Sequence, residues 1–187
     1  MRATGRRAAL AMGVVAFAGR AGAQTQFAFD QTHGRLTFSA RVMGLIGATS
    51  SFARFRCRMT LDPARPTAAR IAIEADAGSI ENDRDSVVEM LRGPAWFDAA
   101  RYPGVRFEGA ATGAGDAVRF PVAGTITLRG VARPLGFDAT LGERRQGAAL
   151  FSATGAISRS DFGMVADRFT IGDRVVLALE ARLLIGG

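Results

Sequence analysis

The sequence contains few of the side chains from which a catalytic centre is usually built. His33 is the only histidine among the 187 residues, and Cys57 is the only cysteine. Cys57 lies among the apolar positions of an alternating segment, so we expect its side chain to pack in the interior. A Ser-His-Asp triad, a Cys-His pair or a histidine metal cluster therefore cannot be assembled in the usual way. We favour a structural or surface role for His33, with a hydrogen bond to a ligand head group as the alternative.

The densest group of charges runs from Glu81 to Asp85. The carboxylates of Asp83 and Asp85 and the guanidinium of Arg84 could in principle move protons. At the start of a helix, however, such residues more often satisfy free N–H groups and complement the helix dipole. The later aspartates are too dispersed to form a calcium loop. We therefore expect no catalytic residue, no metal site and no cofactor, and we predict that the protein is not an enzyme.

Alternation of apolar and polar residues is the dominant pattern of the chain. From Phe55 to Leu61, for example, apolar residues alternate with Arg56, Arg58 and Thr60. The same alternation, which is typical of half-buried strands, recurs at about 27–29, 36–42, 71–75, 105–108, 120–128, 135–141, 151–157 and 175–183. The pattern predicts about nine strands. Glycine-containing turns between consecutive strands predict hairpins, and hence an antiparallel sheet.

One stretch, at about residues 82–102, departs from this alternation. Asn82 or Asp83 can cap a helix there, and Gly93-Pro94 can end it. A sheet with one apolar face must hide that face in a barrel or a sandwich, and closure into a barrel also removes exposed edges. We predict an all-β protein, an antiparallel lipocalin-like β-barrel of about eight or nine strands with a short helical insertion. The interior of such a barrel is filled by side chains or holds one small ligand.

The first 23 residues have the pattern of a secretory signal peptide. Arg2, Arg6 and Arg7 precede an apolar run over residues 8–18, and small residues precede a cleavage site that we expect after Ala23. As a helix, this run would span only about half of a bilayer core. We predict export to the periplasm and a mature domain over residues 24–187. The Arg6-Arg7 pair leaves twin-arginine export open as an alternative to the general secretory route.

The basic balance of the chain does not indicate a nucleic-acid-binding protein. Its 24 basic residues, all Arg, and 17 acidic residues give a net charge of +7. Removal of the signal peptide takes away four Arg and no acidic residue, which leaves +3. The remaining Arg residues are spread over the predicted strands and are not interleaved with exposed aromatic residues. We expect no nucleic-acid partner and only a transient contact with a membrane surface.

Several short motifs follow one another along the mature chain: Phe29-Asp30 with Thr32-His33, Asn82-Asp83-Arg84-Asp85, Leu91-Arg92 followed by Trp96-Phe97-Asp98, Tyr102-Pro103 followed by Val105 and Phe107, Gly124 to Val131, Ile157 to Gly163, and Ile171 to Val175. As an ordered set, these motifs resemble the YceI-like family of secreted, lipocalin-like, polyisoprenoid-binding proteins. The resemblance implies a periplasmic barrel whose apolar interior holds a polyisoprenoid without catalysis. An isoprenoid quinone-like lipid or another long-chain amphiphile is also compatible with it.

We predict that this lipid contacts apolar residues of the strands and an aromatic pair of the helical insertion. These residues are Phe38, Val42, Phe55, Ile73, Trp96, Phe97, Phe107, Ile126, Phe137, Phe151 and Leu177. Apolar burial would drive binding at about 25 cal/mol per Å², and a few polar groups would set the orientation of the lipid. Four positions depart from the family pattern and would change the head-group end or the width of the cavity: Gly34, Val42, Ser50 and Cys57.

Two other interpretations remain open at the level of the sequence. A barrel packed solid by its own Phe side chains could act as a stress-response or interaction module without a lipid ligand. Alternation also fits an outer-membrane barrel, but one Trp and one Tyr are too few for its two aromatic girdles. Association of two barrels into a homodimer is compatible with the sequence.

Overall fold

The computed structural model describes residues 25–62, 65–116 and 118–184. The predicted signal peptide, residues 1–23, lies outside the described residues. The described part is dominated by strands, as the alternation predicts. Its strands are β1 (Thr25–Asp30), β2 (Gly34–Val42), β3 (Ile46–Phe52), β4 (Phe55–Leu61), β5 (Arg70–Asp76), β6 (Ile80–Glu81), β7 (Gly104–Ala111), β8 (Arg119–Leu128), β9 (Val131–Leu141), β10 (Ala148–Ser158) and β11 (Ile171–Leu184).

These strands form one antiparallel sheet in the order β1-β4-β5-β7-β8-β9-β10-β11-β2-β3-β6. From β7 to β11 each strand pairs with the next one along the chain, as the predicted hairpins require. β11 then pairs with β2, which places the last described strand beside the second one. The sheet curls into a half-barrel, and its inward-facing apolar residues form one core. The predicted all-β, antiparallel, lipocalin-like fold is confirmed.

The sheet has more strands than the eight or nine that the alternation predicts, because β3 and β6 lack the pattern. β3 is rich in small and polar residues, and only Ser50 and Phe52 among its seven residues are buried. β6 contains two residues and pairs only with Ser51 and Phe52 at the end of β3. Neither segment is long or alternating enough to be recognised from apolar periodicity.

The predicted helical insertion is present and contains one helix, α1 (Asp85–Arg92). The N–H of Gly93 donates to the carbonyls of Glu89 and Met90 and closes the last turn. Hydrogen-bonded turns then continue as far as Tyr102. No helix among the described residues is long and apolar enough to cross a membrane.

The start of α1 differs from the expected start. Arg84 is the N-cap residue, and no side chain caps the first turn. Asn82 Oδ1 accepts a hydrogen bond from Arg84 N at 3.1 Å, and Asn82 Nδ2 donates to the carbonyl of Thr49 at 2.9 Å. The capping role predicted for Asn82 or Asp83 is therefore wrong. Asn82 instead ties the insertion to β3.

Two arginines fasten the insertion to the sheet through backbone carbonyls. Arg92 donates to the carbonyl of Ile80 at 2.7 Å. Arg129, in the β8–β9 turn, donates to the carbonyls of Pro94 and Trp96. These bonds hold the insertion over the inner face of the sheet, where Trp96 is buried.

Candidate ligand-binding cavity

A cavity of about 350 Å³ lies between the inner face of the sheet and the helical insertion. Nine of the eleven residues predicted from the sequence line it, namely Phe38, Val42, Ile73, Trp96, Phe97, Phe107, Ile126, Phe137 and Leu177. The remaining lining is also mostly apolar and includes Leu36, Phe52, Leu91, Leu128 and Val175. Contact of these residues with a ligand stays a prediction.

The other two predicted residues, Phe55 and Phe151, lie elsewhere in the core. Phe55 opens β4 opposite Ala75 and is 3% exposed, and Phe151 is completely buried opposite Leu141 and Ala181. Neither is among the lining residues. Both side chains fill the barrel around the cavity, and their predicted contact with a ligand stays a prediction.

Aromatic rings form two groups on the cavity wall. Phe38 lies 5.1 Å from Phe52 and 5.2 Å from Phe97, measured between ring centroids, so the sheet and the insertion meet through these rings. Phe107 and Phe137, on β7 and β9, meet edge to face at 4.9 Å. Tilted and edge-to-face contacts at these distances are favourable, so each group holds its rings in fixed positions.

Five residues with polar side chains also border the cavity: Ser50, Arg84, Arg106, Arg159 and Thr170. Ser50 is buried, and its Oγ accepts a hydrogen bond from Asn82 Nδ2 at 3.0 Å. No carboxylate, imidazole or thiol belongs to the lining formed by the described residues. The arrangement can surround an apolar chain and offer hydroxyl and guanidinium donors to a polar end.

Arg159 is the most unusual of these residues, because it is a charged residue that is only 2% exposed. It donates to the carbonyls of Met164, Ile171 and Gly172 at 2.5, 2.8 and 3.1 Å. Its Cζ lies 4.8 Å from the centroid of the Trp96 ring, within cation–π range.

Backbone carbonyls replace a carboxylate as the partners of Arg159. Among the described residues, no carboxylate oxygen lies within 4.0 Å of its guanidinium. Burial lowers the pKa of Arg159 from its ordinary value, while Asp173 and Asp167 act in the opposite direction. An arginine remains charged under such conditions, so a positive charge faces the cavity beside Trp96.

The cavity opens to solvent beside this arginine. Ala48 on β3, Arg84 before α1 and Thr170 before β11 all line the cavity and are all exposed. They belong to three different segments of the chain. The start of α1, the β2–β3 hairpin and the β10–β11 connection therefore border one exposed part of the cavity wall, and Arg106 on β7 marks another.

Comparison with known proteins agrees with this architecture. A family model described as the YceI-like domain matches residues 27–183. The chain belongs to the YceI-like family. Relatives described as UPF0312 proteins include one from Yersinia pestis, 25% identical over 182 residues, which cover 91% of this chain and 92% of the relative. Another relative, from Pseudomonas putida, is 25% identical over 168 residues, which cover 84% of this chain and 85% of the relative.

Solved structures share the YceI-like fold at lower identity. BcnA from Burkholderia cenocepacia superposes with a TM-score of 0.75 at 21% identity, covering 82% of this chain and 98% of that one. The YceI protein of Campylobacter jejuni superposes with a TM-score of 0.67 at 23% identity, covering 74% of this chain and 85% of that one. A polyisoprenoid-binding domain from Saccharophagus degradans gives 0.61 at 15% identity, covering 86% and 98%.

The four departures from the YceI-like pattern divide into two pairs. Val42 and Ser50 line the cavity, so they bear on its shape and polarity. Gly34 lies where β2 passes close to β11, because a Cβ there would be only 2.7 Å from the carbonyl oxygen of Glu180. Cys57 is buried outside the cavity lining, and burial raises its pKa to about 12. Gly34 and Cys57 are therefore matters of packing.

Arg84 lines the cavity, but the other chemically suggestive residues, His33, Asp83 and Asp85, do not. His33 is on the β1–β2 turn, where its Nδ1 lies 2.7 Å from Thr32 Oγ1 and 3.8 Å from Asp30 Oδ1. Asp83 and Asp85 are exposed before and at the start of α1. No group of His, Cys, Asp and Glu in the described part of the chain could hold a metal ion.

Arg159 is the functional candidate that sequence reasoning missed. It belongs to the Ile157–Gly163 motif, but it also follows a strand in which polar residues alternate outwards. The sequence pattern predicts that an arginine in that position is exposed. Its burial depends on carbonyls contributed by residues 164–172, whose position only the folded chain defines.

Proposed function

We propose that this protein binds a polyisoprenoid, or a similar long-chain lipid such as an isoprenoid quinone, in the barrel cavity and carries it without catalysis. The cavity itself supports this most directly. Its lining is apolar apart from a few polar groups, which is the usual composition of a lipid or small-molecule site. Transfer of an isoprenoid chain from water into this space would be driven by burial of apolar surface.

The size of the cavity favours this function over a solid-core interaction module. Protein interiors normally leave few voids larger than a water molecule, whereas this space measures about 350 Å³. Ligand pockets commonly occupy about 300–1,000 Å³. The polyisoprenoid-binding domain of Saccharophagus degradans adds support, because it shares the fold.

Arg159 and Ser50 would set the orientation of the bound chain. Both are buried polar residues on an otherwise apolar lining. A polar head group that remains near them can accept hydrogen bonds, whereas an isoprenoid tail gains most from Phe107, Ile126 and Phe137. The proposed orientation therefore directs the tail towards Phe107, Ile126 and Phe137.

The periplasm is the proposed location, on the evidence of the N-terminal sequence. A basic start, a short apolar run and small residues before a cleavage position are typical of exported proteins. Edman sequencing of the protein from a periplasmic fraction should begin at Gln24. A protein that stays in the cytoplasm with residues 1–23 attached would contradict the proposed location but not the proposed ligand.

Lipid analysis of the purified protein is the decisive experiment for the ligand. Protein isolated from its native source is extracted with organic solvent and the extract is examined by mass spectrometry. We expect an isoprenoid in near-stoichiometric amount, and we expect delipidated protein to bind added polyprenols. Recovery of no stoichiometric lipid, together with no binding of added polyprenols, would rule out the proposed function.

A further inference from the structure

Two neighbouring turns expose large apolar side chains. On the β2–β3 hairpin, Met43, Leu45 and Ile46 are 71%, 86% and 65% exposed. On the β10–β11 connection, Val165 and Phe169 are 51% and 105% exposed. We call these five residues the apolar rim. Single exposed apolar residues are common on protein surfaces, but a group of them marks an interaction site.

The two turns form one surface because the backbone joins them. The N–H of Met43 donates to the carbonyl of Thr170 at 2.7 Å, and Val42 pairs with Ile171 in the sheet. A Cβ on Gly172 would lie 3.2 Å from the carbonyl oxygen of Arg41. Backbone contacts between residues 41–43 and 170–172 therefore join the hairpin to the connection.

The apolar rim borders the opening of the cavity. Val42 and Ala48 flank its hairpin residues in sequence, and both line the cavity. Met164 and Thr170, which precede Val165 and follow Phe169, line it as well. A lipid that leaves the cavity here would pass directly onto the apolar side chains of the rim.

Positive charges stand beside the rim without an ionic partner. Arg41 and Arg168 are exposed, and Arg41 donates to the carbonyl of Gly44 at 3.3 Å. Neither guanidinium lies within 4.0 Å of a carboxylate in the described ranges. Asp161 and Asp167 are the acidic residues of these segments, and Arg41, Arg159 and Arg168 exceed them by one. Apolar side chains next to free cations fit the interface of an anionic phospholipid bilayer.

We propose that the apolar rim docks onto an anionic phospholipid bilayer, with the cavity opening turned towards the lipid, so that the cargo is exchanged without crossing water. The docking depends only on the rim, whereas the exchange of a lipid cargo rests on the proposed function. The apolar side chains enter the boundary between head groups and acyl chains, and the guanidiniums stay among the lipid phosphates.

The shape of the rim favours a bilayer over a second copy of the chain. A standard protein interface takes about 800 Å² from each partner and packs as closely as a protein interior. The rim side chains protrude from two turns and are 51% to 105% exposed, so a second copy would need a matching concave surface. A bilayer does not need a complementary flat surface, because lipid molecules adapt to protruding side chains.

Flotation of phospholipid vesicles tests the docking. The test variant carries Leu45→Ser and Phe169→Ser, and the matched control is Leu150→Ser, a residue that is 59% exposed on β10 outside the rim. Protein expressed from the full sequence is mixed, without added isoprenoid, with vesicles of phosphatidylcholine and phosphatidylglycerol. We expect the unaltered protein and the control to float with the vesicles. We expect the double variant to partition at least about tenfold less, and salt or pure phosphatidylcholine to weaken binding.

Separate outcomes identify failure of the docking and failure of the proposed function. Equal flotation of the double variant and the control, or no flotation of the unaltered protein, overturns the docking. So does a dimer in gel filtration that the double variant converts to a monomer, because the rim would then be a contact between copies. Binding of a soluble short-chain prenol in the absence of vesicles reports on the cavity alone, and we expect the double variant to retain it. Loss of prenol binding in every protein, with flotation still dependent on the rim, would reject the proposed cargo and leave the docking in place.

Discussion

The ring of Phe137 lies against Gly155, its register partner on the neighbouring strand. A Cβ added to Gly155 would be 2.9 Å from Phe137 Cδ1 and 2.6 Å from the carbonyl oxygen of Gly136. Real Cβ atoms do not approach other atoms so closely, so the glycine leaves the space into which the ring fits. This placement sets how far Phe137 projects into the cavity and fixes its contact with Phe107.

Replacement of Gly155 tests this relationship. We expect Gly155→Ala to displace the Phe137 ring towards the cavity, and to lower both the free energy of unfolding, by about 1–3 kcal/mol, and the affinity for a polyprenol. Gly104→Ala is the matched control, because a Cβ on Gly104 meets no atom within 4 Å. Urea unfolding and polyprenol titration provide the two measurements. Equal effects of the two substitutions would show that the ring does not depend on the glycine.

Filling the cavity should reduce ligand affinity more than stability. Ala40 lines the cavity, whereas its neighbour Ser39 does not. Ala40→Phe would exclude a few methylene groups of a bound lipid, at about 0.8 kcal/mol each. We therefore expect its polyprenol dissociation constant to rise at least about tenfold, while Ser39→Phe leaves it unchanged. Unaltered affinity in Ala40→Phe would place the ligand outside this cavity.

Removal of Arg159 should destabilise the connection between β10 and β11. Arg159→Met keeps most of the side-chain volume but leaves three carbonyls without their donor, so we expect a loss of about 3 kcal/mol or more in the free energy of unfolding. Arg159→Lys should recover little of this stability, because one ammonium group cannot reproduce the planar arrangement of guanidinium N–H donors. The exposed Arg168→Met serves as the control and should be near neutral. Faster proteolysis within residues 163–170 in Arg159→Met than in Arg168→Met would localise the effect.

Cys57 should be unreactive in the folded protein. Burial raises the pKa of its thiol from 9.0 to about 12, so almost no thiolate forms near neutral pH. A chromogenic disulfide reagent should label the thiol in denaturant and not in buffer. Since the folded pKa is raised, this group stabilises the fold fully below pH 9 and loses that contribution as the pH rises from 9 towards 12. Cys57→Ala should lack this alkaline component, and rapid labelling of native protein would contradict the buried position.

Acid should weaken the fold in part through Asp76. Hydrogen bonds from Arg54, followed by that from the amide of Gly78, hold the pKa of Asp76 below its ordinary value of 3.8. Because the pKa is lower in the folded protein, the ionised carboxylate stabilises the fold at pH values above the unfolded pKa. This stabilisation is lost as the pH falls from about 4 through the folded pKa. Both side chains of the Arg54–Asp76 pair are partly exposed, so we expect no more than about 1 kcal/mol. Unfolding measured between neutral pH and pH 2 should show a smaller pH dependence in Asp76→Asn, and an identical dependence would contradict this role.

The fold follows closely from apolar periodicity where that periodicity is strong. In β4 the alternating residues from Phe55 to Leu61 are all buried, and the intervening Arg56 and Arg58 are exposed. The same periodicity does not predict β3, because its first four residues are all exposed. β3 is a strand because it pairs with β2. Periodicity reports which face is buried, and a strand that buries little carries little signal.

The cavity is predictable to the same degree as the strands that line it. Alternation tells which face of a strand is inward, and this is sufficient for Ile73, Phe107 and Leu177. It does not tell how far along the barrel a residue lies, so Phe55 and Phe151 are inward but outside the cavity. The polar end of the cavity depends on the hydrogen bonds of Arg159 to carbonyls of residues 164–172, and apolar periodicity does not predict these bonds.

The sealed position of Cys57 makes the chain ready for site-specific labelling. An introduced surface thiol would be the accessible one in the folded protein, with no need to remove the native cysteine first. Leu45→Cys, for example, would carry an environment-sensitive fluorophore on the β2–β3 hairpin, where Leu45 is 86% exposed. Its emission could follow in real time how deeply that turn enters a bilayer and how quickly it leaves.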